Sequence, residues 1–285
     1  MTTPLAITGA TGIVGGGVAQ QLAALGVPLR LVVRSPHRAP VIAGAEVAGA
    51  AYGDSDAVRE ALEGIDTVFM VSAAENKDRL TEHLTFVDAA VAAGVRRIVY
   101  TSFLGAGADA VFLLGRDHWH TEEGIRNSGL AFTFLRDNLY ADLLPDFAGP
   151  EGVIRGPAGG GKLSAVARAD VIDVATAVLS AAATAHSESS VHDGISYGLT
   201  GPQALTLTEM AQTISRVTGR TVRFENETVE QAYASRAGYG APQWQVDAWV
   251  STYTAIAAGE MAEVTDDVEG VTGHPPISFR ALLGG

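Results

Sequence analysis

A chain of 285 residues with 47% hydrophobic content carries enough apolar material for one large core, or for one large and one small. Its formal net charge of -13 works against phosphodiester backbones, and no Lys/Arg cluster offsets it locally, so nucleic acid is not an expected partner. The lack of cysteine excludes disulfides, a thiol nucleophile and thiolate metal sites.

In chain order, Met1 to Ile7 reads as a short strand running straight into glycines. It lacks the basic segment and long apolar stretch of an exported or membrane-anchored chain, so a cytoplasmic protein without a membrane partner is expected. Strands are expected at residues 4–8, 29–33, 67–71, 97–101 and 132–136, separated by helices at 15–25, 56–62, 80–93 and 118–128. Leu31-Val32-Val33, Val68-Phe69-Met70-Val71 and Ile98-Val99-Tyr100 are nearly continuous apolar runs, as in strands buried on both faces. This alternation predicts an α/β fold, a Rossmann-type doubly wound parallel sheet over residues 1–145. Beyond Leu144 the alternation is punctuated by Pro145, Pro150, Pro157 and Gly159-Gly160-Gly161. Helices at 207–218, 229–237 and 242–258 and a strand at 221–225 then predict a smaller α+β C-terminal lobe over 146–285, some of its segments returning to the main sheet. A substrate lid is one use for such a lobe. The apolar helix at 80–93 could pair two copies as a homodimer or simply cover the sheet.

Thr8-Gly9-Ala10-Thr11-Gly12-Ile13-Val14-Gly15 is the first functional signal. Gly9 permits the tight turn out of the strand, Gly12 lets backbone approach a pyrophosphate, and Gly15 permits close packing of helix on strand. The residues between them, Ala10, Thr11, Ile13 and Val14, bring the helix N–H groups to the phosphates. The spacing Gly-x-x-Gly-x-x-Gly is not the commonest dinucleotide form, but strand, glycines, helix and second strand follow in the required order. At the end of that second strand an acidic residue would bind a ribose 2′-hydroxyl. Arg34 stands there instead, with Arg38 close behind to grip a 2′-phosphate, so NADP(H) is the expected cofactor. The alternative is that Arg34 only solvates a strand end. Asp54 either caps a helix or contacts adenine.

These segments, with Gly53-Asp54, Ala92-Ala93-Gly94-Val95 and Thr133-Phe134-Leu135-Arg136, resemble the NmrA-like branch of atypical short-chain dehydrogenase/reductases. Arg136-Asp137-Asn138-Leu139-Tyr140, Ala167-Arg168-Ala169-Asp170 and Ala258-Gly259-Glu260 are similar to runs in type-two NAD(P)H:quinone oxidoreductases and triphenylmethane reductase. The resemblance implies an NAD(P)H-dependent reductase of a small planar acceptor, and also admits a noncatalytic NADP(H)-sensing regulator, as in some NmrA-like proteins.

Ordinary short-chain dehydrogenases protonate substrate with a tyrosine activated by a lysine four residues on. Here the only lysines, Lys77 and Lys162, follow Ala73 and Ala158 at that spacing, so the pair does not exist. Hydride transfer to a quinone or cationic dye suits such a site, because the delocalised product takes its proton from water. His118 is the candidate proton donor or nicotinamide-ribose contact, with an unreactive histidine near a helix start as the alternative. Trp119 and Tyr140 are candidates for an aromatic slot, Tyr140 being the second catalytic candidate. Asn138, after the strand at 132–136, and Ser72, Ala73 and Ala74, after the strand at 67–71, stand where cofactor contacts fall. Asp137 replaces the asparagine common at its place in the resembling quinone reductases. His118 and His120 point to different helix faces, no metal-ligand spacing occurs, and Ser102 lacks a nucleophile elbow, so neither metal nor hydrolase chemistry is expected.

Overall fold

A computed structural model describes residues 4–184 and 189–284; of the expected opening segment Met1–Ile7, the first three residues lie outside the described residues. The chain begins as a strict alternation: β1 (Leu5–Thr8), α1 (Ile13–Ala24), β2 (Leu29–Val33), β3 (Glu46–Gly49), α2 (Ser55–Ala61), β4 (Thr67–Met70), α3 (Arg79–Ala92), β5 (Arg97–Phe103), α4 (Leu113–Asn127) and β6 (Ala131–Asp137). There follow β7 (Val153–Gly156), β8 (Lys162–Leu163), α5 (Arg168–Thr184), β9 (Ile195–Leu199), β10 (Leu205–Thr206), α6 (Leu207–Thr218), β11 (Arg223–Asn226), α7 (Val229–Arg236), α8 (Gln243–Ala258), α9 (Asp267–Thr272) and α10 (Phe279–Gly284).

Seven strands form one sheet in the order β3-β2-β1-β4-β5-β6-β9, and the pairs β1–β2, β2–β3, β1–β4 and β4–β5 run parallel. Every residue of β1, β4 and β5 is buried, as a sheet covered on both faces requires. Strand order reverses between β1 and β4, and the crevice beyond the carboxyl ends of those strands is where an open α/β sheet takes its ligand. One face of the sheet is filled by a cluster including Phe86, Tyr100 and Phe134. On α5, Ile172 packs against α1 so closely that a Cβ on Gly17 would lie 2.5 Å from its Cδ1, and Gln21 donates to Asp173 at 2.7 Å. Arg97, at the start of β5, holds Asp193 in a two-pronged pair at 2.6 and 2.7 Å, tying the segment before β9 to the sheet.

The chain divides into two compact units, and the division does not fall at one point near Leu144. The first unit comprises Met1–Ser102, His118–Arg136 and Val171–Tyr197; the second comprises Phe103–Asp117, Asp137–Asp170 and Gly198–Gly285. In the second unit β7 pairs in parallel with β11 and β8 antiparallel with β10. Its α6 starts with a capping box, Thr206 and Glu209 each bonding the other's backbone N–H, and spans the same residues that the sequence pattern predicts. By contrast α4 begins at Leu113, five residues before the expected 118. Glu260 accepts from Val111 N–H at 2.8 Å and Phe112 N–H at 3.2 Å, and Ser251 Oγ accepts from Leu113 N–H at 3.1 Å, so partners remote in sequence satisfy the donors at that helix start. Among the described residues no helix is long and apolar enough to cross a membrane.

Candidate functional site

The turn from β1 into α1 is shaped by what glycine lacks. Gly9 has φ of +63°, and a Cβ on it would stand 2.9 Å from Val71 Cβ. A Cβ on Gly15 would lie 2.5 Å from Gly9 O and 2.6 Å from Thr8 O, so the helix can start against the strand end only without a side chain there. Gly12 is the N-cap of α1, with no side-chain cap and no acidic residue in the first turn, which leaves the positive end of the helix to an incoming anion. Beside the turn opens a cleft of 440 Å³ lined by Ala10, Thr11, Gly12 and Ile13 together with Gln20, Arg38, Pro40 and Ile172. Thr11, Gly12 and Ile13 are exposed, while Val14 is 6% exposed and its side chain belongs to the core. An uncapped helix end, close-approach glycines and a guanidinium in the cleft wall fit a dinucleotide carrying phosphates.

Arg34 is exposed immediately after β2, and Arg38 ends the short turn Pro36–Arg38 that follows. Of the two, Arg38 lines the cleft. Asp54 accepts from Ala57 N–H at 3.1 Å and caps α2, the first of its two expected roles.

Ser72 and Ala73 are half-buried and Ala74 exposed, in the loop leaving β4. Side chains hold that loop: Ser72 N–H donates to Thr101 Oγ1 at 2.7 Å, and Ala73 N–H to His83 Nε2 at 2.8 Å. His118 lies behind it, 6% exposed. Arg79 Nη2 donates to its Nε2 at 3.0 Å, and since a guanidinium can only donate, the ring proton sits on Nδ1 and goes to Tyr100 Oη at 2.9 Å. Burial, and then the charge of Arg79, hold His118 well below the ordinary histidine range, and the same two causes bring His83 down to about 3. The structure places His118, the candidate proton donor or nicotinamide-ribose contact, in the interior as a neutral imidazole with both nitrogens engaged. Trp119 next to it is half-buried, its ring edge-on to His120.

In the second unit, Asn138 is 1% exposed. Its amide donates to Ser164 Oγ at 2.9 Å and Met261 O at 3.0 Å, and its oxygen accepts from Leu139 N–H at 2.8 Å. A side chain so committed is an internal anchor rather than the cofactor contact expected of it. Tyr140 donates its hydroxyl proton to Asp137 Oδ2 at 2.6 Å; burial first, then the Asp137 charge, raise its pKa well above the ordinary tyrosine value. Asp137, the departure from the resembling reductases, is thus the acceptor that occupies the second catalytic candidate. Sequence reasoning missed Gln20, Pro40 and Ile172 in the cleft wall, and Arg79, His83 and Thr101 behind the loop. Gly17 inside a helix was a signal for the close neighbour that proved to be Ile172, but the others carry no local pattern.

The sheet order, the glycine turn at its reversal point and the cleft define a dinucleotide-binding protein. The model of the NAD(P)H-binding family matches residues 9–182, and the chain belongs to that family. It is 32% identical over 279 residues to quinone oxidoreductase 2 of Escherichia coli strain K12 (95% of this chain, 94% of the relative). It is 35% identical over 280 residues to (4-alkanoyl-5-oxo-2,5-dihydrofuran-3-yl)methyl phosphate reductase of Streptomyces griseus subsp. griseus (96% and 94%). Among solved structures, the Escherichia coli NADPH-dependent quinone oxidoreductase complexed with NADPH matches with a TM-score of 0.84 at 31% identity, covering 98% of each chain. The triphenylmethane reductase of Citrobacter sp. complexed with NADP(H) also gives 0.84, at 28% identity over 99% of this chain and all of that one (100%). The chain is an NAD(P)H-dependent oxidoreductase.

Proposed function

We propose that this oxidoreductase prefers NADPH to NADH and reduces a quinone or similarly planar, electron-poor acceptor, without a tyrosine–lysine proton relay. The observation that carries the reading is the fate of the candidate acids. His118 has both nitrogens bound by Arg79 and Tyr100, Tyr140 has its proton on Asp137, and no tyrosine stands four residues before a lysine. An acceptor needing a protein acid is poorly served by such a set, whereas a quinone is not: one hydride gives the hydroquinone anion, and water supplies the remaining proton. The bound nicotinamide supplies that hydride. The chain's own part is placement. Gly9, Gly12 and the N–H groups at the start of α1 receive the pyrophosphate, Arg38 and Arg34 offer guanidinium groups to a 2′-phosphate, and the Ser72–Ala74 backbone borders the nicotinamide half. Holding donor and acceptor face to face supplies much of the acceleration that orientation can give. The reductase relatives at 32% and 35% identity support this reading.

Mixing purified protein with NADPH and a panel of quinones, and following cofactor absorbance, tests it. Turnover with at least one quinone is expected, and Arg38→Ala is expected to raise the Kd for NADPH about tenfold while leaving NADH within about twofold. No turnover with any acceptor, beside tight binding of both NADP+ and NADPH, would replace the reductase with a noncatalytic sensor.

A further inference from the structure

The loop leaving β4 is held in an unusual manner. Between Val71 and Ala73 five backbone groups are bonded, and every partner is a side chain. Val71 N–H donates to Thr8 Oγ1 at 2.8 Å, and Tyr52 donates its hydroxyl to Val71 O at 2.6 Å. Ser72 N–H donates to Thr101 Oγ1 at 2.7 Å. The Ala73 peptide groups are gripped from both sides, its N–H by His83 Nε2 at 2.8 Å and its carbonyl by Arg79 Nε at 2.9 Å. Loop backbone at a protein surface ordinarily satisfies such groups with water. Here the partners come from β1, the segment before α2, α3 and β5.

Four of the five partners are deeply buried, while Tyr52 and the loop they hold are half-buried. His83 is 0%, Thr101 2% and Arg79 4% exposed, whereas Ser72 and Ala73 are half-open to solvent. Behind the first row stands a second. With Nε2 accepting from Ala73, His83 carries its proton on Nδ1 and directs it to Thr121 Oγ1 at 2.9 Å, and Arg79 donates to His118, which donates to Tyr100. Burying two imidazoles and a guanidinium is costly, and it is tolerated when the groups are mutually bonded and fix one arrangement. The arrangement they fix lies at the ligand crevice: β4 is one of the two strands flanking the reversal point, and Val71 abuts Gly9 of the phosphate turn.

We propose that Thr101, His83 and Arg79 are positioning residues that preform the backbone wall at Ser72–Ala73 for the nicotinamide half of the cofactor, with His118, Tyr100 and Thr121 fixing their orientation. This rests on the cofactor reading above. A wall bonded before the ligand arrives does not have to be ordered on binding, so the clamp adds to affinity for the half of the ligand that meets it. The adenine half, received at the glycine turn and Arg38, is independent of the clamp.

That separation gives the test. Binding of NADPH and of 2′,5′-ADP, which contains only the adenine half, is measured by calorimetry for wild type, Thr101→Val, His83→Phe and His83→Gln. Thr101→Val is nearly isosteric and removes the acceptor of Ser72 N–H; His83→Phe keeps a ring and removes the acceptor of Ala73 N–H; glutamine restores an acceptor at about the same reach. Thr101→Val and His83→Phe are expected to weaken NADPH about tenfold and leave 2′,5′-ADP within about twofold, with His83→Gln recovering most of the loss. Should His83→Phe not fold, Thr101→Val decides alone. Equal weakening of both ligands, or of neither, in a wild-type protein that binds both overturns the clamp. Wild type that binds neither ligand overturns the cofactor reading, and the clamp with it.

Discussion

The β1–α1 turn and the loop after β4 are neighbours, Gly9 beside Val71, and they are made rigid by opposite means. In the turn, rigidity comes from excluding side chains, so that helix and strand ends touch at distances no Cβ could survive. In the loop it comes from recruiting side chains, five backbone groups being bonded by residues drawn from four segments. A site made by omission is contained in a few consecutive residues, whereas a site made by recruitment is dispersed over Thr8, Tyr52, Arg79, His83 and Thr101 and exists only once the chain has folded.

Three measurements would break or sharpen that contrast. The largest effect belongs to the turn: Gly15→Val places branched carbon against Gly9 O and Thr8 O and is expected to cost more than about 4 kcal/mol in urea unfolding, with NADPH binding lost. A stable Gly15→Val protein that binds NADPH normally would mean the close approach is dispensable. Next comes Asn138→Ala, which strips partners from Ser164, Met261 and Leu139 and is expected to destabilise by about 2–3 kcal/mol while the NADPH Kd stays within about twofold. The reverse outcome, unchanged stability with weakened NADPH, would restore Asn138 as a ligand. The smallest is a pH effect of the recruited histidines. His83 and His118 remain neutral in the folded protein where the unfolded chain, titrating near the ordinary value of 6.5, takes up protons. Their contribution is therefore complete above about pH 6.5 and is lost as pH falls towards the folded value, about 3 for His83. His83 should make stability fall by about 1 kcal/mol per pH unit between about pH 6 and 5, and His118 acts in the same direction. Denaturant midpoints at pH 7, 6 and 5 would read this, and a slope unaltered in His83→Gln would remove His83 from the account.

The fold of the first 137 residues was largely legible because its signals are local. Continuous apolar runs mark buried parallel strands, and glycines mark the turn. β2 at Leu29–Val33 and α6 at Leu207–Thr218 were legible to the residue. β3 was not: Glu46–Gly49 is an exposed edge strand whose conformation is fixed by pairing with β2 rather than by an apolar pattern. The start of α4 escaped for a related reason, its donors being met by Glu260 and Ser251. At the site, the residues read from spacing and from chain position fared differently. Gly9 to Gly15 form the turn that they promised. His118 was singled out at an expected helix start and Asn138 and Tyr140 just past a strand, and polarity carries no mark of whether the hydrogen bonds go inward or outward. Asp137 is the instructive residue, since a departure from the resembling enzymes is what engages the Tyr140 hydroxyl.

The pair between Arg97 and Asp193 has a consequence for how the protein is made. Its members are 96 residues apart, and β9 joins the sheet edge beside β6 only after the chain has left the first unit and come back. During synthesis the first six strands emerge well before the seventh, so β6 waits as a bare edge able to pair with another nascent chain. A truncation at the proline-rich punctuation beyond Leu144, which looks like a convenient place to cut, would make that waiting state permanent. It would yield an aggregating fragment in place of an isolated cofactor-binding domain.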